Sequence, residues 1–169
     1  MFAQTITDTV ARWPFPPELL TFFLAMVPIV EMRGAIPVGH GIFGLSWFSS
    51  FAWSYLGSLT PGIFIMLLAE HVISWCNRKS PFCNRLIGKA LERTRKHFSK
   101  QHEQFGNIFL LVFVALPFPG TGVWSGSLAA IVFGIPRARA IWLLAIGNII
   151  ACAIVTLAAM GLFKAASVL

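Results

Sequence analysis

Apolar residues fill this chain in long blocks, and two blocks break where a membrane helix would have to continue. Uncharged stretches cover 34–69, 104–136 and 140–163. A spanning helix needs about 20 consecutive apolar residues. The block Leu19–Val30 has only 12 residues before Glu31, Arg33, Gly34, Pro37, Gly39 and Gly41. The block Ile108–Leu116 has 9 before Pro117, Pro119, Gly120 and Gly122. At about 1.5 Å per residue, neither crosses a hydrocarbon core about 30 Å thick. Proline removes a helix donor, and glycine loosens the backbone. Such breaks at membrane depth occur only where protein or a wet cavity satisfies the released backbone groups. The pattern predicts two re-entrant hairpins, each a half-helix in, a broken turn and a half-helix back. The first is expected to be unwound from Glu31 to Pro37.

Two uninterrupted spans remain. One is expected from about Ser46, a good N-cap residue, to Trp75, with a kink at Thr60-Pro61-Gly62. The other is expected from about Arg137 to Phe163, with Pro136 at its first turn. Between the halves, Arg78, Lys79, Arg85, Lys89, Arg93, Arg95, Lys96 and Lys100 outweigh Glu92 and Glu103. This stretch supplies +6 of the net charge of +7. An excess of Lys and Arg between apolar runs marks a cytoplasmic loop. Cys83, Ile87, Ala90, Thr94, Phe98 and Phe105 share one face there. The linker is therefore expected to be an amphipathic helix on the membrane surface, ended by Gly106-Asn107. At the N-terminus, Phe2, Ile6, Val10 and Trp13 recur at helical spacing and suggest a short interfacial helix.

The chain also matches itself at an offset of 90 residues. Phe23–Met26 falls on Phe113–Leu116, Ile42–Leu45 on Val132–Ile135, and Gly57-Ser58 on Gly147-Asn148. Self-matching of apolar sequence by chance is the competing reading. Each unit is one hairpin plus one span, so it crosses the membrane an odd number of times and the second copy is inverted. The expected fold is an all-α integral membrane protein, one membrane domain over 1–169. Repeat one covers about 18–76, the linker about 77–105 and repeat two about 106–166. With the basic linker cytoplasmic, both termini lie outside.

Composition narrows the function. Hydrophobic residues make up 57% of the chain and charged ones 11%, whereas soluble domains carry about 25% charged residues. A soluble enzyme does not fit that composition, and a nucleic-acid binder does not fit because +6 of the net +7 lies in the linker between apolar runs. Three cysteines, Cys76, Cys83 and Cys152, give no disulfide framework and no paired metal motif. No cofactor is implied, and no nucleophile–base pair suggests an enzyme.

The candidate chemistry sits at the two broken turns. Glu31 and Arg33 are ionisable groups amid apolar sequence, and such residues are functional candidates by default. Burial favours the neutral acid while a nearby guanidinium favours the carboxylate, so Glu31 is expected to couple protons. Arg33 does not deprotonate and serves as its partner or as an anion site. A plain structural ion pair is the competing reading. The second turn has no acid or base. Its candidates are Pro117, Pro119, Gly120, Thr121, Gly122, Trp124 and Ser125, beside free helix N–H groups. Close packing of small residues accounts for that turn equally well. Pro37 and Asn148 complete the expected substrate-binding set.

These same residues carry a resemblance. Glu31 to Pro37, taken with Ala115 to Gly126, resembles the small multidrug export protein family of bacteria and archaea over nearly the whole chain. That family is in turn similar to the DedA superfamily, described with two re-entrant hairpins in inverted repeats. The resemblance implies a transporter in a prokaryotic inner membrane and makes Glu31 the hairpin acid. DedA proteins place arginines in the second hairpin region; the nearest here are Arg137 and Arg139, at the start of the span. The resulting expectation is a small proton-coupled transporter or flippase, a homodimer among membrane lipids. Its substrate would be amphipathic with an anionic head group, such as a polyprenyl phosphate. The alternative is proton-driven export of lipophilic cationic drugs.

Overall fold

The computed structural model describes residues 15–79, 100–118 and 120–166. Among them are six α-helices and no strand: α1 Pro17–Met26, α2 Glu31–Gly41, α3 Trp47–Lys79, α4 Lys100–Ala115, α5 Val123–Val132 and α6 Arg137–Ala166. Two stretches are long and apolar enough to cross a membrane, Trp47–Ala69 in α3 and Arg137–Ala166 in α6. They begin where the pattern placed them. Helices α1 and α5, at 10 residues each, reach only about 15 Å. Phe48, Trp142, Leu157 and Leu162 project from the two spans almost unburied. A run of such residues suits a hydrocarbon surround rather than water. The expected N-terminal helix and most of the basic linker lie outside the described residues.

The contacts divide the chain into two compact units, residues 1–60 with 148–169, and residues 61–147. In the first, Pro17 opens α1, where its missing donor costs nothing and Glu18 faces the positive helix end. A four-residue turn, 27–30, reverses the chain, and α2 packs back along α1. Here the structure corrects the sequence reading. The break falls at 27–30, and 31–41 is helical, not unwound, with Pro37 inside α2. Tertiary contact explains Gly39 and Gly41. A Cβ on Gly39 would sit 3.0 Å from Thr21 Cγ2, and one on Gly41 would press into the Phe163 ring at 2.7 Å. Both are places of close approach, and Gly41 is also the last residue of α2.

Gly44, at φ 72°, then turns the chain into α3. Ser46 caps that helix as expected, its Oγ accepting the Ser49 N–H at 3.0 Å. Met32 and Ile36 of α2 form a buried cluster with Ala151 and Cys152 of α6, flanked by Trp47, Phe51, Tyr55 and Val155. His40 stacks on Trp47 at 3.7 Å, and Phe163 packs edge-on to both. Gly57 lies against the Phe22 carbonyl and the Ala25 methyl. The contacts Trp47–Phe163 and Ser58–Asn148 set α3 and α6 antiparallel in this unit.

The second unit is built in the same way. Helix α4 packs on α5, Gly147 of α6 lies 3.1 Å from the Leu111 carbonyl by its absent Cβ, and Gly126 lies against Val114 and Leu144. Gly134, at φ 65°, turns the chain toward α6. Ile135 donates to the Ala130 carbonyl, closing α5. A second correction concerns Gly106-Asn107, which was expected to end the linker helix. Helix α4 runs through both without interruption. An interior glycine costs a helix only about 1 kcal/mol, which the apolar run behind it outweighs.

Candidate functional site

Glu31 is the first residue of α2 and is 2% exposed. It is also the one described non-glycine residue with positive φ, at 44°. A side chain in that region crowds the following carbonyl and costs about 1–2 kcal/mol. The conformation still makes four-residue geometry on both sides: the Glu31 N–H donates to Val27 O at 2.9 Å and the Gly34 N–H to Val30 O at 3.0 Å. It also explains a pairing that a regular helix would forbid. Side chains two apart diverge on an α-helix, yet Arg33 Nη1 donates to Glu31 Oε2 at 2.7 Å. The guanidinium side chain is 20% exposed, the carboxylate 3%.

Part of the surroundings of Glu31 comes from α6. Cys152, buried, lies within electrostatic reach of the carboxylate. One turn earlier, Asn148 is fully buried. Its Nδ2 donates to Ser58 Oγ at 2.9 Å and to the Tyr55 carbonyl at 3.2 Å. In the reverse sense Ser58 Oγ donates to Asn148 Oδ1 at 3.2 Å. Ser58 closes a stripe the sequence reading passed over. Ser50, Ser54 and Ser58 recur every four residues on α3, and all three are fully buried. Hydroxyls at i, i+4 and i+8 within an apolar helix were the available signal.

Of the expected binding set, Pro37 is half-buried within α2, and Asn148 belongs to the same unit as Glu31 and Arg33. The second-turn residues belong to the other unit. There Gly120 and Gly122 hold φ 87° and 135°. Thr121 Oγ1 binds the turn itself: it bonds to the Leu116 carbonyl at 2.6 Å and the Phe118 carbonyl at 2.8 Å, and accepts the Phe118 N–H at 3.2 Å. Ser125 turns its hydroxyl to the Gly122 carbonyl at 3.5 Å. Pro117 and Trp124 are half-buried. Pro119 lies outside the described residues. The chemistry this turn offers is mainly backbone, while the charged chemistry gathers at Glu31.

A family model described as Putative small multi-drug export protein matches residues 31–154. Its first matched residue is Glu31. No curated protein and no solved structure matches the chain.

Proposed function

Because the chain belongs to that small multi-drug export family, we propose that it exports lipophilic cations in exchange for protons, with Glu31 taking up proton and cargo in turn. The supporting observation is a buried carboxylate in strained backbone, 2.7 Å from the Arg33 guanidinium. Strain of this kind persists only where surrounding structure enforces it, and it gathers at working sites. A carboxylate paired with a movable cation can exchange that cation for a proton or a charged guest. In this reading Arg33 is the resting partner, released toward the solvent side when Glu31 is protonated.

The same reading treats α1–α2 and α4–α5 as re-entrant hairpins of an inverted repeat in the inner membrane, with both termini outside. The Ser58–Asn148 contact supports it. These residues stand 90 apart, the offset at which the chain matches itself. In an inverted repeat, equivalent residues touch each other only on the internal symmetry axis. Ser58 is also the midpoint of the span Trp47–Ala69. Two spans and two hairpins make a thin wall around a pathway, so the working form is a homodimer.

The structure offers less support for an anionic lipid head group. That substrate needs Arg33 presented to it, and the guanidinium is 2.7 Å from a carboxylate. The test is reconstitution into liposomes with an imposed pH gradient and ethidium as cargo. Wild type is expected to drive efflux, Arg33→Gln to retain it, and Glu31→Gln to lose it. Gradient-driven efflux by folded Glu31→Gln protein refutes the reading.

A further inference from the structure

Helices α2 and α3 run antiparallel, with His40 stacked on Trp47 and Gly39 facing Ser50. A Cβ on Gly39 would lie 3.1 Å from Ser50 Oγ, so that hydroxyl points at α2. Stepping four residues along both helices, in opposite directions, sets Ser54 opposite Ala35 and Ser58 opposite Glu31. The three serines therefore form a file from the end of α2 to the acid. Its far wall is small: Thr21 and Ala25 of α1 with Ala35 and Gly39 of α2, all buried.

The hydroxyls in this file are unusual. A helical Ser or Thr in apolar surroundings commonly returns its proton to the carbonyl four residues back. Thr60 and Thr156 do so at 2.7 Å. Ser58 is satisfied by Asn148. Ser50 Oγ and Ser54 Oγ, both fully buried, have no hydrogen-bond partner among the described residues. Buried polar groups are ordinarily paired by protein or water. Packing does not demand hydroxyls here. Ninety residues on, the corresponding positions are Ala140 and Leu144, both fully buried, with Leu144 covering Gly126. The second unit closes its helix crossing with hydrocarbon.

We propose that Ser50 and Ser54 hold a short file of water that carries protons between Glu31 and the membrane face where α2 ends and α3 begins. Residues four apart on one helix face are about 6 Å apart. Two hydrogen bonds of about 2.8 Å cover that distance, so one water bridges each gap. Each oxygen in the file accepts a proton on one side and releases one on the other. The carboxylate ends as the neutral acid, and each O–H bond broken is matched by one formed. Among the described residues, Glu31, Arg33, Tyr55 and Cys152 are titratable groups at the inner end, and His40 stands at the mouth. With the basic linker cytoplasmic, that mouth is external, the side from which a proton gradient drives uptake. This inference rests on Glu31 as the coupling group.

Thiol accessibility tests it without reference to transport. In full-length protein lacking Cys76, Cys83 and Cys152, single cysteines are placed by Ser50→Cys, Ser54→Cys, Ala140→Cys and Leu144→Cys. Silver ion, small enough for a one-water path, is added outside right-side-out membrane vesicles for the two serine-derived thiols and to the cytoplasmic side of inverted vesicles for those at 140 and 144, so that each position is approached from its own nearer face. Blocked thiols are then counted by alkylation after denaturation. The serine-derived thiols are expected to react at least tenfold faster than those at 140 and 144. Each serine exchange alters one atom, and two positions report, so misfolding of one variant leaves the other decisive. Equal rates at all four positions overturn the water file while leaving the coupling role of Glu31 standing. Fast reaction combined with proton-driven efflux in Glu31→Gln keeps the water and removes its destination.

Discussion

The left-handed backbone at Glu31 makes a prediction whose sign alone is decisive. In an ordinary helix interior alanine is more stable than glycine by about 1 kcal/mol. At φ 44° the Cβ costs about 1–2 kcal/mol that glycine escapes. Glu31→Gly is therefore expected to be more stable than Glu31→Ala by about 1 kcal/mol. Both variants lose the carboxylate and leave Arg33 in the same setting, so their difference isolates the backbone. The measurement is reversible unfolding in mixed detergent and dodecyl sulfate micelles, followed by tryptophan fluorescence. The two transitions should be displaced in that order with similar slopes. Alanine equal to or above glycine would refute the strain argument, and with it the main support for Glu31 as a working residue. Neither variant should transport, so the more stable one would be stabilised and inactive together.

Four further outcomes follow, three from close contacts and one from backbone conformation alone. Gly57→Ala drives a methyl into the Phe22 carbonyl, which cannot rotate away, and is expected to cost at least about 3 kcal/mol or prevent folding. Gly147→Ala, with 2.9 Å to Val114 Cβ and 3.1 Å to the Leu111 carbonyl, should cost about 1–2 kcal/mol in the same unfolding assay. Ser58→Ala and Asn148→Ala, combined in a double-mutant cycle, should show a coupling of about 0.6–1.7 kcal/mol; additive losses would mean the pair contributes no interaction. Gly44→Ala and Gly134→Ala meet no neighbour within 4 Å, so any loss of stability, expected at about 1 kcal/mol each, comes from the positive φ alone.

Much of this architecture was legible in the residues. Ser46 and Pro136 announce the two spans because caps are local chemistry, decided within one turn of the chain. Gly44 and Gly134 sit at matching offsets because each reversal needs a left-handed residue. The pairing of Glu31 with Arg33 was also foreseen, but for a different reason: an unwound chain was expected, and one left-handed residue at a helix start does the same work. What escaped was non-local. Gly39 and Gly41 look like breakers when read along the chain, yet they answer to Thr21 and Phe163, on other helices. Ser50 and Ser54 look like any small residues until their burial and lack of partners are known.

The meeting of Ser58 with Asn148 is lopsided. The amide reaches from α6 to two acceptors on α3, the Ser58 hydroxyl and the Tyr55 carbonyl, and takes the serine's proton in return. The two helices are thereby keyed to a single register. A slip of one turn in either would break all three bonds at once and leave a bare amide in an apolar interior.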